Sequence, residues 1–220
     1  SIEELEKVGS YSDNTFLLTN SVDTDFYRPS SFHNQCENRK NILIVARLFE
    51  SQKRISDLIH AMQYLDSTWT MEIVGAGSYL KFLQNLASSL EVAQRVRFVG
   101  FIRDKNKLRE KYQRCSVFAL SSAWEAVALV VLEAMSCGAA VVTTDIRTFK
   151  NLVIHEKSGI RVPVGEPTAL AQGILKSYEN RESYGKEARK IVVDSYSKKK
   201  IFSQLAEVIK SCPEPKKHFT

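Results

Sequence analysis

Ser116-Val-Phe-Ala-Leu120, Ser121-Ser-Ala-Trp-Glu125, Ala126-Val-Ala-Leu-Val-Val-Leu-Glu-Ala-Met-Ser-Cys-Gly138 and Ala139-Ala-Val-Val-Thr143 run on without a break. Two short apolar runs bracket a longer one, and Gly138 supplies a helix stop, so the stretch reads as strand, loop, helix and strand. Glu125 and Glu133 are the only charges between Ser116 and Thr143. Their spacing would put both carboxylates on roughly one face if the whole segment were helical. The preferred reading places Glu125 in the loop and Glu133 inside a helix from about Ala128 to Cys137. Acids in so apolar a setting are costly unless polar groups meet them, so the rest of the chain must supply partners.

Outward from this unit the same alternation recurs. Asn41-Ile-Leu-Ile-Val-Ala46, Thr70-Met-Glu-Ile-Val74, Arg95-Val-Arg-Phe-Val99 and Gly159-Ile-Arg-Val-Pro163 read as strands. Helices are expected over 55–65, 79–90, 105–114, 149–155, 168–178, 181–194 and 197–211. Short continuous apolar strands alternating with helices predict an α/β fold, a Rossmann-like parallel sheet with helices on both faces. Ligands in such sheets sit at the carboxyl ends of the strands. That rule gathers the loops after Ala46, at Gly75-Ala-Gly77, at Gly100-Phe-Ile102, at Ser121–Glu125 and after Thr143 on one rim. Upstream, residues 1–14 suggest a short helix, Thr15–Thr19 a strand, and 20–39 a turn-rich passage running into a polar linker.

The 220 residues, 44% hydrophobic and 25% charged, are ordinary for a globular domain. The apolar run from Ala126 to Leu132 is far too short to span a bilayer. The opening Ser1-Ile-Glu-Glu-Leu-Glu-Lys7 has no leader pattern and no initiating Met, which suggests a piece of a longer chain. Four dispersed cysteines, Cys36, Cys115, Cys137 and Cys212, suggest a reduced, cytoplasmic setting. Cys115 and Cys137 read as small packing residues, Tyr112 and Phe118 as core. Trp124 is expected to pack beneath its loop. The four histidines have no metal-ligand spacing. Net charge is +6, with Lys186, Arg189, Lys190, Lys198, Lys199, Lys200, Lys210, Lys216 and Lys217 crowding the end. That pattern fits a solvated helix face. It is also compatible with peripheral contact at the inner face of a membrane. No aromatic-interleaved basic patch points to nucleic acid.

A dinucleotide is disfavoured, because Arg47-Leu-Phe-Glu-Ser-Gln-Lys53 follows the first strand where G-x-G-x-x-G would be required. A Walker phosphate loop is absent too. The first loop offers cations instead. Arg47 at a strand end and Lys53 at the mouth of the next helix would suit a diphosphate.

Several segments, in order, resemble glycosyltransferase family 4. Val45-Ala-Arg47-Leu48 through Lys53 is similar to its G-R-L…K-G. Ile73-Val-Gly-Ala-Gly77 is similar to its strand and G-x-G, and Val96-Arg-Phe-Val-Gly-Phe101 to its V-x-F-x-G-x. Ser121 to Gly138 resembles its E-x7-E motif, Gly159–Gly165 its closing segment, and Asn20-Ser-Val-Asp23 its interdomain N-G-V-D. The match spans residues of about 15 to 180. It implies the C-terminal, donor-binding half of a retaining, metal-independent enzyme of glycosyltransferase-B architecture, with no cofactor and a UDP- or GDP-sugar donor of hexose type. Residues 1–39 would be the remnant of an N-terminal domain and linker, 40–180 the nucleotide-sugar domain, and 181–220 helices packing back towards the missing half. The acceptor, a glycan or lipid-linked molecule, would be held mainly by that half. The resemblance gives Arg47 and Lys53 to the diphosphate, Glu125 to the donor sugar and Glu133 to the ribose. Phe101 and Ile102 would pack on the base, Gly75 would lie in the same binding rim, and the amides at Ala128, Leu129 and Val130 would face the phosphate. Where the family has glycine, this chain has Ala126 and Ala128; Ala140 replaces a proline and Asn151 a glutamate. Alanine at those two positions requires a negative φ and room for a methyl group. A non-catalytic nucleotide-sugar-binding module, or a related enzyme such as a sugar-nucleotide epimerase, is the alternative.

Overall fold

The computed structural model describes residues 19–30 and 40–211. The expected helix over 1–14, the strand over Thr15–Thr19 apart from Thr19, the linker over 31–39, and Cys36, Cys212, Lys216 and Lys217 lie outside them.

Six parallel strands form one sheet in the order β3-β2-β1-β4-β5-β6: β1 (Asn41–Val45), β2 (Thr70–Val74), β3 (Val96–Gly100), β4 (Val117–Leu120), β5 (Val141–Thr144) and β6 (Gly159–Val162). The helices are α1 (Glu50–Lys53), α2 (Ile55–Ala61), α3 (Leu80–Ser89), α4 (Lys105–Arg114), α5 (Leu129–Ser136), α6 (Arg147–Lys150), α7 (Pro167–Glu179), α8 (Arg181–Tyr196) and α9 (Lys198–Ser211). Ile42 and Ile44 of β1 face a core shared with α2, α3 and α7, whereas Leu43 faces a second core with α4, α5 and α8. Every residue of β4 and β5 is buried. A strand covered on both faces has no side to leave polar, which explains the continuous apolar runs.

The order runs outward from β1 in one direction and restarts at β4 in the other. The two strands flanking that switch open a crevice at their carboxyl ends. The loop after β1 and the glutamate loop after β4 therefore meet, because β1 and β4 are hydrogen-bonded neighbours.

Two expected elements need correction. The loop after β1 is not bare, for Glu50–Lys53 coils into α1, a turn with no buried residue and so no apolar period to announce it. Lys53 thus ends one helix instead of opening the next. Arg54, in the left-handed region at φ 46°, breaks the chain before α2. The helix expected over 149–155 is the shorter α6, and His155 instead makes an isolated bridge with Gly159.

The C-terminal basic run is less free than its sequence suggests. Half-buried Arg189 of α8 donates to the carbonyls of Tyr27, Thr24 and Ser136 at 2.7, 2.9 and 2.7 Å. Lys198 pairs with Asp23 at 3.1 Å. Backbone bonds from Val22 to Tyr196 and from Lys198 to Val22 tie the same segment down. Tyr184, Ala188 and Val192 of α8 are buried against the sheet domain, so this helix packs on α5 and the 20–29 segment. No helix among the described residues is long and apolar enough to cross a membrane.

Candidate active site

The partner of Glu125 is Lys53. Glu125 lies four residues before α5 begins, in the loop, and Glu133 lies within α5. The Lys53 ammonium donates to Glu125 Oε1, with the two side chains 14% and 5% exposed. Ser122 Oγ donates to the same oxygen at 2.7 Å. Gln52 Nε2 lies 3.5 Å from Oε2 and 3.3 Å from the Trp124 carbonyl. Thr148 at the start of α6 donates to the Glu125 backbone carbonyl. The two loops are also joined directly. Ala123 donates its amide to Gln52 O at 2.8 Å, and Ser121 Oγ sits 2.9 and 2.8 Å from the carbonyls of Lys53 and Arg54. As the last residue of α1, Lys53 carries its charge where helix carbonyls favour a cation.

Arg47, by contrast, is exposed and has no side-chain partner among the described residues. Phe101 is 73% exposed, while Ile102 and Val130 are half-buried against the second core. Gly75 stands under the first loop: with φ at 148°, a Cβ there would lie 1.8 Å from the Ala46 carbonyl oxygen. The strand-like bonds Ala46 to Val74 and Leu48 to Ala76, both 3.0 Å, continue the β1–β2 ladder into this loop. The G-x-G thus lets two rim segments touch.

Glu133 belongs to a separate cluster. Tyr112 OH of α4 donates to its Oε2 at 2.8 Å, and the Tyr27 hydroxyl lies close to the same carboxylate. Burial pushes the Glu133 carboxyl above its usual range; the tyrosine donors and nearby Lys105 pull the other way. The same burial and the neighbouring carboxylate push both tyrosine hydroxyls up. Because folded Glu133 holds its proton more tightly than the unfolded chain does, its contribution to stability is full below the ordinary glutamate value. It falls as pH rises towards the raised one. Tyr112→Phe removes a donor that favours the charged form, so the fall is expected to extend to higher pH. Urea denaturation across mildly acid pH measures this, and an unshifted profile would contradict it.

Ala126 is absent from the positive-φ residues and Ala128 has φ −107°, so neither needs glycine's freedom here. Ala128 caps α5 and is buried. The Leu129 and Val130 amides, in the first turn, have no carbonyl four residues back inside the helix. Trp124 does not pack beneath the loop; at 57% exposed it stands on the rim, with its carbonyl 3.3 Å from Gln52 Nε2. Phe118 and Tyr112 are core, and Cys115 and Cys137 are buried thiols held in the neutral form, Cys137 pushed up to about 12 by burial. Among the described residues no three His, Cys, Asp or Glu side chains gather so as to hold a metal ion. Gln52, Ser122 and Thr148 were not singled out in the sequence, since isolated polar residues in a loop or a single helical turn carry no periodic signal. Tyr27, 106 positions from Glu133, carried none either.

The chain matches the family of glycosyl transferases group 1 over residues 28–191, and it belongs to that family. It is 31% identical over 183 residues to an uncharacterised glycosyltransferase of Methanocaldococcus jannaschii, covering 81% of this chain and 46% of that protein. It is 28% identical over 170 residues to the N-acetyl-α-D-glucosaminyl L-malate synthase of Bacillus anthracis, covering 75% and 44%. The chain therefore spans a little under half the length of these relatives. The fold is one half of the glycosyltransferase-B architecture. A crystal structure of Anabaena HepE in complex with UDP superposes with a TM-score of 0.86 at 24% identity, covering 96% of this chain and 62% of that one.

Proposed function

We propose that this chain is the C-terminal, donor-binding half of a retaining glycosyltransferase. It would serve transfer of a hexose-type sugar from a nucleoside diphosphate to a glycan or lipid-linked acceptor. The observation that carries the reading is the buried Lys53–Glu125 pair, steadied by Ser122, at the switch between β1 and β4. A cation and an acceptor-only carboxylate side by side suit a ligand with a phosphate next to hydroxyls. When the bond from the sugar's anomeric carbon to the diphosphate oxygen breaks, the electron pair stays on the diphosphate. Lys53 and exposed Arg47 would hold that charge without a metal ion. Glu133, with a raised carboxyl and Tyr112 fixing it, is the group for the ribose hydroxyls. The amides of Leu129 and Val130 would add to the phosphate site, and Phe101 and Ile102 would cover the base. HepE's complex with UDP supports a uridine nucleotide as the first ligand to try. Peripheral membrane contact through the lysines of α9, in a cytoplasmic setting, belongs to the same reading.

Calorimetric titration with UDP-sugars and GDP-sugars tests it. Binding of at least one is expected, and binding of none would overturn the donor role. Binding without turnover in the full-length protein would favour a regulatory module. Glu133→Gln is expected to weaken free nucleotide about tenfold, the worth of one charge-assisted hydrogen bond. Glu125→Gln is expected not to weaken free nucleotide, and to reduce the preference for sugar-bearing donor. Equal losses of free nucleotide in both variants would contradict these roles.

A further inference from the structure

We propose that the Lys53–Glu125 pair lets the site distinguish a loaded donor from a spent nucleotide. Ser122 and Gln52 would be the positioning residues that keep Glu125 in place once Lys53 turns to phosphate. The inference rests on the donor-site reading above. Lys53 has no side-chain partner but Glu125 among the described residues. Glu125 Oε1 receives both Lys53 and Ser122, while among the described residues Oε2 has only the 3.5 Å approach of Gln52. The carboxylate is 5% exposed, so water cannot replace a departing ammonium at little cost. A nucleoside diphosphate without sugar draws Lys53 towards its second phosphoryl group and leaves Glu125 with Ser122 and Gln52 alone. A donor that still carries its sugar brings hydroxyls, and these fill the acceptor positions on Oε2 and those vacated on Oε1. The pair thus penalises the product more than the substrate, which favours release after transfer. A residue whose work is done only when both ligand parts are present discriminates by difference, not by added affinity.

The geometry fixes an unusual sign: losing the carboxylate should strengthen product binding. Calorimetry on this chain with UDP and UMP, and with GDP and GMP, compares wild type, Glu125→Gln, Lys53→Met, the double variant and Ser122→Ala. Glu125→Gln is expected to bind the diphosphate about tenfold tighter, a coupling of ordinary size, and the monophosphate unchanged. In the Lys53→Met background the same substitution is expected to change nothing. Ser122→Ala, which keeps the charge but removes a donor, is expected to weaken diphosphate and spare monophosphate. Diphosphate affinity unchanged in Glu125→Gln, or equal tightening without Lys53, would overturn the exchange alone. Wild type binding no nucleotide would overturn the donor reading and the exchange with it.

Discussion

Lys53→Met should destabilise the chain by about 3 kcal/mol, the usual cost of stranding one member of a buried ion pair. The pair is 14% and 5% exposed, so solvent screens little of it. Ser122 and Gln52 stay in place, but neither carries charge. Diphosphate affinity is expected to fall about a hundredfold, as when one partner of a desolvated charge contact is truncated. Urea denaturation and nucleotide titration check both halves. An undiminished affinity would place the diphosphate elsewhere on the rim, with Arg47 as the next candidate.

Gly75→Ala is expected to be the most damaging single methyl group in the rim. The new Cβ would lie 1.8 Å from the Ala46 carbonyl oxygen and 2.9 Å from its carbon, both backbone atoms with no freedom to swing away. The residue would also sit at φ 148°, which side chains avoid. The loops 46–48 and 74–76 would have to part, breaking the bonds from Ala46 to Val74 and from Leu48 to Ala76. A loss of about 3 kcal/mol or more follows from strain and overpacking together. A thermal melt within a degree or so of wild type would contradict it, since 1 kcal/mol shifts a chain of this size by about 2–4 °C.

Much of this architecture could be read from the strands. β1, β4 and β5 are short, uncharged and mostly apolar, with residues buried on both faces, and that pattern has few structural solutions besides a covered parallel sheet. The break between Glu125 and α5 was legible too, as was the stop at Gly138, where φ is 80°. What local pattern could not show was pairing at a distance. α1 has no buried side chain, so nothing periodic marks the turn that carries Gln52 and Lys53 to Glu125. Trp124 reads as packing beneath its loop, yet it stands exposed on the rim. Arg189 looked like one more surface charge in a basic run; only the folded chain shows it threaded between Ser136 and the 20–29 segment. The family resemblance supplied roles for Arg47, Phe101 and Ile102, but the side-chain contacts here bind none of them to Glu125.

That threaded arginine alters what counts as the smallest cooperative unit. A fragment trimmed to begin at Lys40, where the regular sheet starts, would discard the Tyr27 and Thr24 carbonyls and leave Arg189 half-buried with two acceptors on Ser136. It would strip one tyrosine from Glu133 and bare the edge-on contact between the Tyr27 and Tyr112 rings, whose centroids are 6.1 Å apart. Ending the fragment at Asn180 would do similar harm from the other side. The ten or so residues ahead of the linker, bonded to an arginine 162 positions further on, are expected to melt and form together with the sheet.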